Sequence, residues 1–249
     1  MITLSRIILA VVISGVVACN DSNEEKFETI SKLRTLGVAA DPIGLTAGGE
    51  GAAQTATMTF FLVAPLGATV QYEPYQDDRA RYAIPIDLAV DASSEKIVDY
   101  AKFSIHQVNA VLSVPAAGLV PIPSNPGFAR IRYGLRAISG SEEEIIVGTL
   151  VLYANSENRP AYEPLGVSID LPLDVTSFGE QTNLQATIDN KNSENVKIGW
   201  LVSSGTVKNR RAKSTQWQDV AAGQQTVVVT VRGMKSGSFA YAVRDVSRP

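Results

Sequence analysis

Apolar and polar residues alternate in steps of two along most of this chain, the period of a strand with one buried face. Thr55, Thr57 and Thr59 alternate with Ala56, Met58 and Phe60, which predicts a half-buried strand over 55–63. Residues 129–138 place Arg130, Arg132, Gly134 and Arg136 on one side and Ile131, Tyr133, Leu135 and Ala137 on the other. An acidic turn at 139–144 follows, and the apolar run 145–153 returns, so the pair reads as a hairpin with a polar tip. Beyond 165, strands are predicted at 166–171, 181–189, 196–202, 205–208, 214–218, 225–232 and 239–246, with turn residues between them. Seven short strands in that span point to a β-sandwich. No sustained helical period is present.

The first block is less regular. Residues 33–40 form a short apolar-rich run stopped by Asp41-Pro42, and a glycine-rich loop spans 46–51. Residues 84–90 are strand-like, with Pro85 directing them to a sheet edge. Residues 98–114 read mostly as strand, although 96–111 also support a short helix. Four prolines between 115 and 126 make that segment a loop. Residues 155–164 are polar, carry two prolines and read as a linker.

The N-terminus departs from the strand pattern. Residues 7–18 carry no charge and follow Arg6, giving the basic, apolar and small-residue regions of an export signal. A run of about 12 apolar residues is short of the roughly 20 needed to span a bilayer. The tetrad Val16-Val17-Ala18-Cys19 resembles the lipobox of bacterial lipoproteins. That resemblance implies cleavage before Cys19 and acylation of its thiol and new amino group. Cys19 is the sole cysteine, so no disulfide forms within the chain. Two or three acyl chains hold a protein durably on a membrane where one does not. The expected organisation is a signal peptide at 1–18, a polar tether at 19–30, a first sandwich at 31–160 and a second at 165–249. Asn20 follows the cysteine where the enterobacterial inner-membrane retention signal has aspartate, which directs the expectation to the outer membrane; Asp21 one place later pulls against it.

A second resemblance lies in the later block. Residues 199–207 with Trp200, then Ser214-Thr215-Gln216-Trp217, then the apolar run 223–231 look like bacterial Ig-like domains of the PKD type. The first block is more loosely similar to Ig-like modules of bacterial lipoproteins, through 33–42, 46–63 and the 129–153 hairpin. Residues 65–128 depart from that pattern, as an insertion or a different sandwich topology. The fold class expected is all-β, with two Ig-like β-sandwiches in tandem.

Charge narrows the partners. Without residues 1–18 the chain has 21 basic and 25 acidic residues, a net charge of −4, which gives no electrostatic case for nucleic acid. One histidine, His106, cannot build a multi-histidine zinc site. A Ser-His-acid triad would have to use it, yet no Gly-x-Ser-x-Gly elbow exists. Asp77, Asp78, Asp87, Asp91 and Asp99 offer carboxylates for hydrolysis or calcium, but no calcium-loop motif. No catalytic residue, metal ligand or cofactor is assigned. The candidate binding residues are Tyr72, Tyr75 and Tyr82, set among acids and arginines, and the basic loop with Lys208, Arg210, Arg211 and Lys213. The expected function is a non-enzymatic, lipid-anchored envelope module for adhesion, scaffolding or assembly, with a protein or cell-wall glycan partner. The alternative is a carbohydrate-binding or carbohydrate-cleaving domain using the tyrosines and acids of 71–91.

Overall fold

The computed structural model describes residues 32–46, 54–75, 87–114, 127–155, 157, 159–171 and 181–248. The signal segment, Cys19, the tether, Asp77, Asp78 and Tyr82 lie outside the described residues.

The first sandwich begins with β1 (Arg34–Asp41), β2 (Leu45–Thr46), β3 (Gln54–Pro65) and β4 (Gln71–Tyr75). It continues with β5 (Asp87–Asp99), β6 (Phe103–Val114), β7 (Phe128–Ser139) and β8 (Glu142–Tyr153). One sheet has the order β1-β3-β6-β5 and the other β2-β8-β7-β4. With the strands lettered A to G, these are the ABED and GFC sheets of an immunoglobulin-type sandwich. The first strand is split: β1 pairs with β3, the chain passes a cis Asp41–Pro42 bond, and β2 pairs parallel with β8 in the opposite sheet. Residues 65–128 therefore correct the expectation of an insertion, because the strands described within them are C, D and E of the sandwich itself. The helix reading of 96–111 gives way to a turn at 100–102 between two antiparallel strands.

Alternation builds the core. Met58, Phe60 and Leu62 of β3, Val108, Ala110 and Leu112 of β6, and Ile131, Tyr133 and Leu135 of β7 all point inward and are buried. The acidic hairpin tip also closes the sandwich: Glu142 accepts from the Leu33 amide at 3.1 Å, and Glu144 from the Thr35 amide at 3.0 Å.

The second sandwich comprises β9 (Gly166–Asp170), β10 (Gln181–Asp189), β11 (Val196–Val202), β12 (Thr206–Val207), β13 (Ser214–Gln218), β14 (Gly223–Gly233) and β15 (Phe239–Arg248). Its sheets run β12-β13-β10-β9 and β11-β14-β15, the seven-strand ABED and CFG arrangement. Trp200 sits on the third strand and Trp217 on the fifth, both in the core, as their neighbours' alternation predicts. Trp217 is fully buried and its indole N–H donates to the Ser204 carbonyl at 2.7 Å.

The two sandwiches are fused. Phe61, Val63, Phe103 and Ile105 lie on the outer face of the β1-β3-β6-β5 sheet. Leu201, Val228, Tyr241 and Val243 lie on the outer face of the β11-β14-β15 sheet, and the two groups share a third apolar cluster. Phe61 packs on Phe239 and Tyr241 with ring centroids 5.4 and 5.1 Å apart. The four sheets thus stack face to face. The connection at 155–164 is strapped down at its far end, where Glu163 and Asn192 exchange hydrogen bonds of 2.9 and 2.7 Å and the Leu165 amide donates to Ser238 at 3.0 Å.

Candidate binding cleft between the sandwiches

The tyrosine cluster divides. Tyr72 and Tyr75 are three residues apart on β4, an odd spacing that sends them to opposite faces. Tyr75 covers Gly134 on the neighbouring strand, and the Arg136 guanidinium stands 5.9 Å from its ring centre. Tyr72 packs against the core, and its hydroxyl donates to Glu95 at 2.5 Å. Burial and then the Glu95 bond and charge push the Tyr72 phenol pKa up.

Glu95 reaches this position through a bulge. Asp91 of β5 pairs with Asn109, yet Lys96 pairs with Gln107, so four residues face one on β6. Asp91 holds the turn by accepting from the Ser93 amide at 3.1 Å, and Ser94 Oγ accepts from the Asn109 amide at 2.8 Å. The bulge swings Glu95 onto His106, whose Nδ1 is 2.8 Å from the carboxylate. With the Nδ1 proton directed at Glu95, Nε2 accepts from Ser104 Oγ at 3.3 Å. Serine, histidine and glutamate therefore stand in the order of a nucleophile triad. Ser104 is 1% exposed and His106 fully buried, so no substrate carbonyl reaches the serine in this conformation. Among the described residues, no three His, Cys, Asp or Glu side chains group as a metal site.

The basic loop folds over the end of the second sandwich. The Trp200 indole donates to the Ala212 carbonyl at 2.9 Å and the Trp200 amide to the Arg210 carbonyl at 3.1 Å. Lys208, Arg211 and Lys213 are exposed and Arg210 half-buried. This loop and the Tyr72–Tyr75 strand belong to different sandwiches.

A feature not foreseen from the sequence lies where β1 and β8 meet the β11-β14-β15 sheet. A cleft of about 210 Å³ is lined there by Tyr133, Lys197, Arg232 and the glycines 37, 148 and 199. Neighbouring side chains leave no room for a Cβ at these glycines: one on Gly37 would meet the Phe239 ring, one on Gly148 the Tyr133 ring, and one on Gly199 the Thr230 hydroxyl. Lys197 and Arg232 are direct cross-strand partners on β11 and β14, and both are exposed. The sequence carried one trace of this cleft, in the glycines and cations interrupting otherwise apolar strands.

No family model and no curated protein matches this chain. Solved structures similar to it include the fibronectin(III)-like modules of Clostridium thermocellum CbhA, at 11% identity, covering 85% of this chain and 92% of that one with a TM-score of 0.30. The D00-D0 domain of intimin is 15% identical over 85% of this chain and 99% of its own, with a TM-score of 0.24. The four N-terminal Ig domains of Dscam1 isoform 1.9 are 10% identical over 88% and 66%, with a TM-score of 0.27. At such TM-scores the fold assignment rests on the strand order within each sandwich.

Proposed function

We propose that this chain is a non-enzymatic binding module of a bacterial cell envelope, held by lipid on Cys19 and presenting its two sandwiches as one body. The observation that carries the non-enzymatic reading is the burial of Ser104: the chain's one histidine is committed to Glu95 and to a sealed serine. The lipobox-like tetrad supports the anchor, and Asn20 supports an outer-membrane address. Partner contacts fall to the loops, the exposed strand edges and the seam between the sandwiches.

The test is in-situ cross-linking of the intact protein in its envelope, followed by mass spectrometry of bound material and of the Cys19 peptide. An acylated Cys19 and a reproducible protein partner are the expected results. Glycan enrichment without protein would replace the scaffold reading with a carbohydrate-binding one. An unmodified Cys19 peptide would remove the anchor.

A further inference from the structure

Two cations directly opposite each other on paired strands repel, and sheets ordinarily place opposite charges or apolar pairs there. Lys197 and Arg232 stand in that arrangement at the mouth of the cleft. Among the described residues neither lies within ion-pair distance of a carboxylate. The carboxylate tied to the lining, Glu144, is engaged by the Thr35 amide and hydroxyl at 3.0 and 2.6 Å.

Tyr133 supplies an independent observation from the other sandwich. It is 3% exposed, and its hydroxyl makes no hydrogen bond to any described residue. The hydroxyl oxygen is not sealed from solvent, so on the cleft wall it is a donor available to water or to a ligand. Burial raises its pKa and the nearby Arg232 charge pulls the other way, with burial prevailing, so the phenol keeps its proton and is a donor.

We propose that the cleft binds a single oxyanion group, a carboxylate, sulfate or phosphate monoester, between the Lys197 and Arg232 side chains and the Tyr133 hydroxyl. The anion relieves the repulsion across the strand pair and accepts a hydrogen bond from the Tyr133 hydroxyl in place of water. Arginine offers a planar fork to such a group and lysine a point charge. The space, about 210 Å³, is smaller than the roughly 300–1,000 Å³ of a site for a drug-sized ligand, so it takes the charged head of a molecule with the remainder outside. The site needs both sandwiches, since its neutral donor comes from β7 and its cations from β11 and β14. It goes beyond the envelope reading: an unacylated Cys19 leaves it untouched.

The purified full-length chain is titrated with inorganic phosphate, sulfate, acetate and glucuronate at constant ionic strength, while the backbone amide resonances of Gly37, Gly148 and Gly199 are followed by NMR. Saturable shifts at these amides with a millimolar dissociation constant are expected. The preferred anion identifies the source: glucuronate an acidic sugar, phosphate or sulfate an esterified group. Arg232→Gln and Lys197→Gln should each weaken binding about tenfold, the loss of one charge-assisted contact. Tyr133→Phe, which keeps the ring over Gly148, should weaken it several-fold. Arg211→Gln in the basic loop should leave it unchanged. Should Arg232→Gln fail to fold, the exposed Lys197→Gln carries the test alone. Absence of saturable shifts, unchanged affinity in the Lys197 variant, or shifts confined to residues 208–213 would each overturn the proposal.

Discussion

Ile105→Ala separates fused sandwiches from independent ones. Ile105 is on the face of β6 turned away from its own core, and in a free-standing first sandwich it would meet water. It is 1% exposed here because Leu201 and Val228 of the second sandwich share its cluster. An exposed substitution costs within about 0.5 kcal/mol. Truncating a buried isoleucine costs about 2–5 kcal/mol through lost transfer energy and the cavity left behind. With a urea dependence of about 3 kcal/mol per molar for a chain of this size, the midpoint falls by roughly 1 M. The readout is specific, because both tryptophans, Trp200 and Trp217, lie in the second sandwich. Tryptophan fluorescence during urea unfolding therefore reports on a sandwich that does not contain the substitution. The expected result is a tryptophan transition displaced by about the full 1 M and coincident with the circular dichroism transition, as for one cooperative unit. A tryptophan midpoint that stays in place while another probe registers a destabilised first sandwich would refute the fusion.

Gly37→Ala forces a Cβ into the Phe239 ring and should cost about 1–3 kcal/mol by calorimetry; a neutral result would mean the ring is not seated on β1. Tyr72→Phe removes one donor to Glu95 and should cost about 1 kcal/mol. Glu95→Ala strands both Tyr72 and His106 and should cost about 1–3 kcal/mol, so the reverse ranking in urea would contradict the network. Glu194 accepts from the Lys235 and Ser236 amides at 2.7 and 3.0 Å and from the Ser236 hydroxyl. Burial alone would raise its pKa, but these bonds together with Asn192 outweigh burial and hold it below the ordinary value. A depressed folded pKa gives stability that is present above the unfolded value, about 4.3, and is lost as pH falls through the folded one. Glu194→Gln should therefore cost about 1–3 kcal/mol at neutral pH, with the gap to wild type closing below about pH 4; a gap independent of pH would refute it.

The second sandwich was legible almost strand by strand, because period-two alternation and turn residues coincide there. The 225–232 prediction became Gly223–Gly233, and 239–246 became Phe239–Arg248. The seam was also written in the chain, in a form that alternation hides. Phe60-Phe61-Leu62-Val63 and Val227-Val228-Val229 are apolar at both parities, the mark of a strand covered on both faces. Residues 87–99 resisted reading because the Asp91–Lys96 bulge resets the phase of the strand partway along it. The tyrosines at 72 and 75 look like neighbours in sequence, but the pleat separates them. Contacts of Tyr72 and His106 with Glu95 span 23 and 11 residues and depend on that same bulge, so no local pattern announces them.

The seam imposes an order in time. Synthesis runs from the N-terminus, and the first sandwich has all its strands once Tyr153 has been made. Its outer face, with Phe61, Val63, Phe103 and Ile105, then lacks its full cover of Leu201, Val228, Tyr241 and Val243 until the last of these emerges about 90 residues later. At about 5–20 residues per second that interval is roughly 5–20 s, far longer than hydrophobic surfaces need to find one another. During it, the nascent chain displays an apolar sheet face of the kind that recruits holdases or other nascent copies. The contact that makes the finished protein one body thus leaves its half-made form with an adhesive face that the finished protein hides.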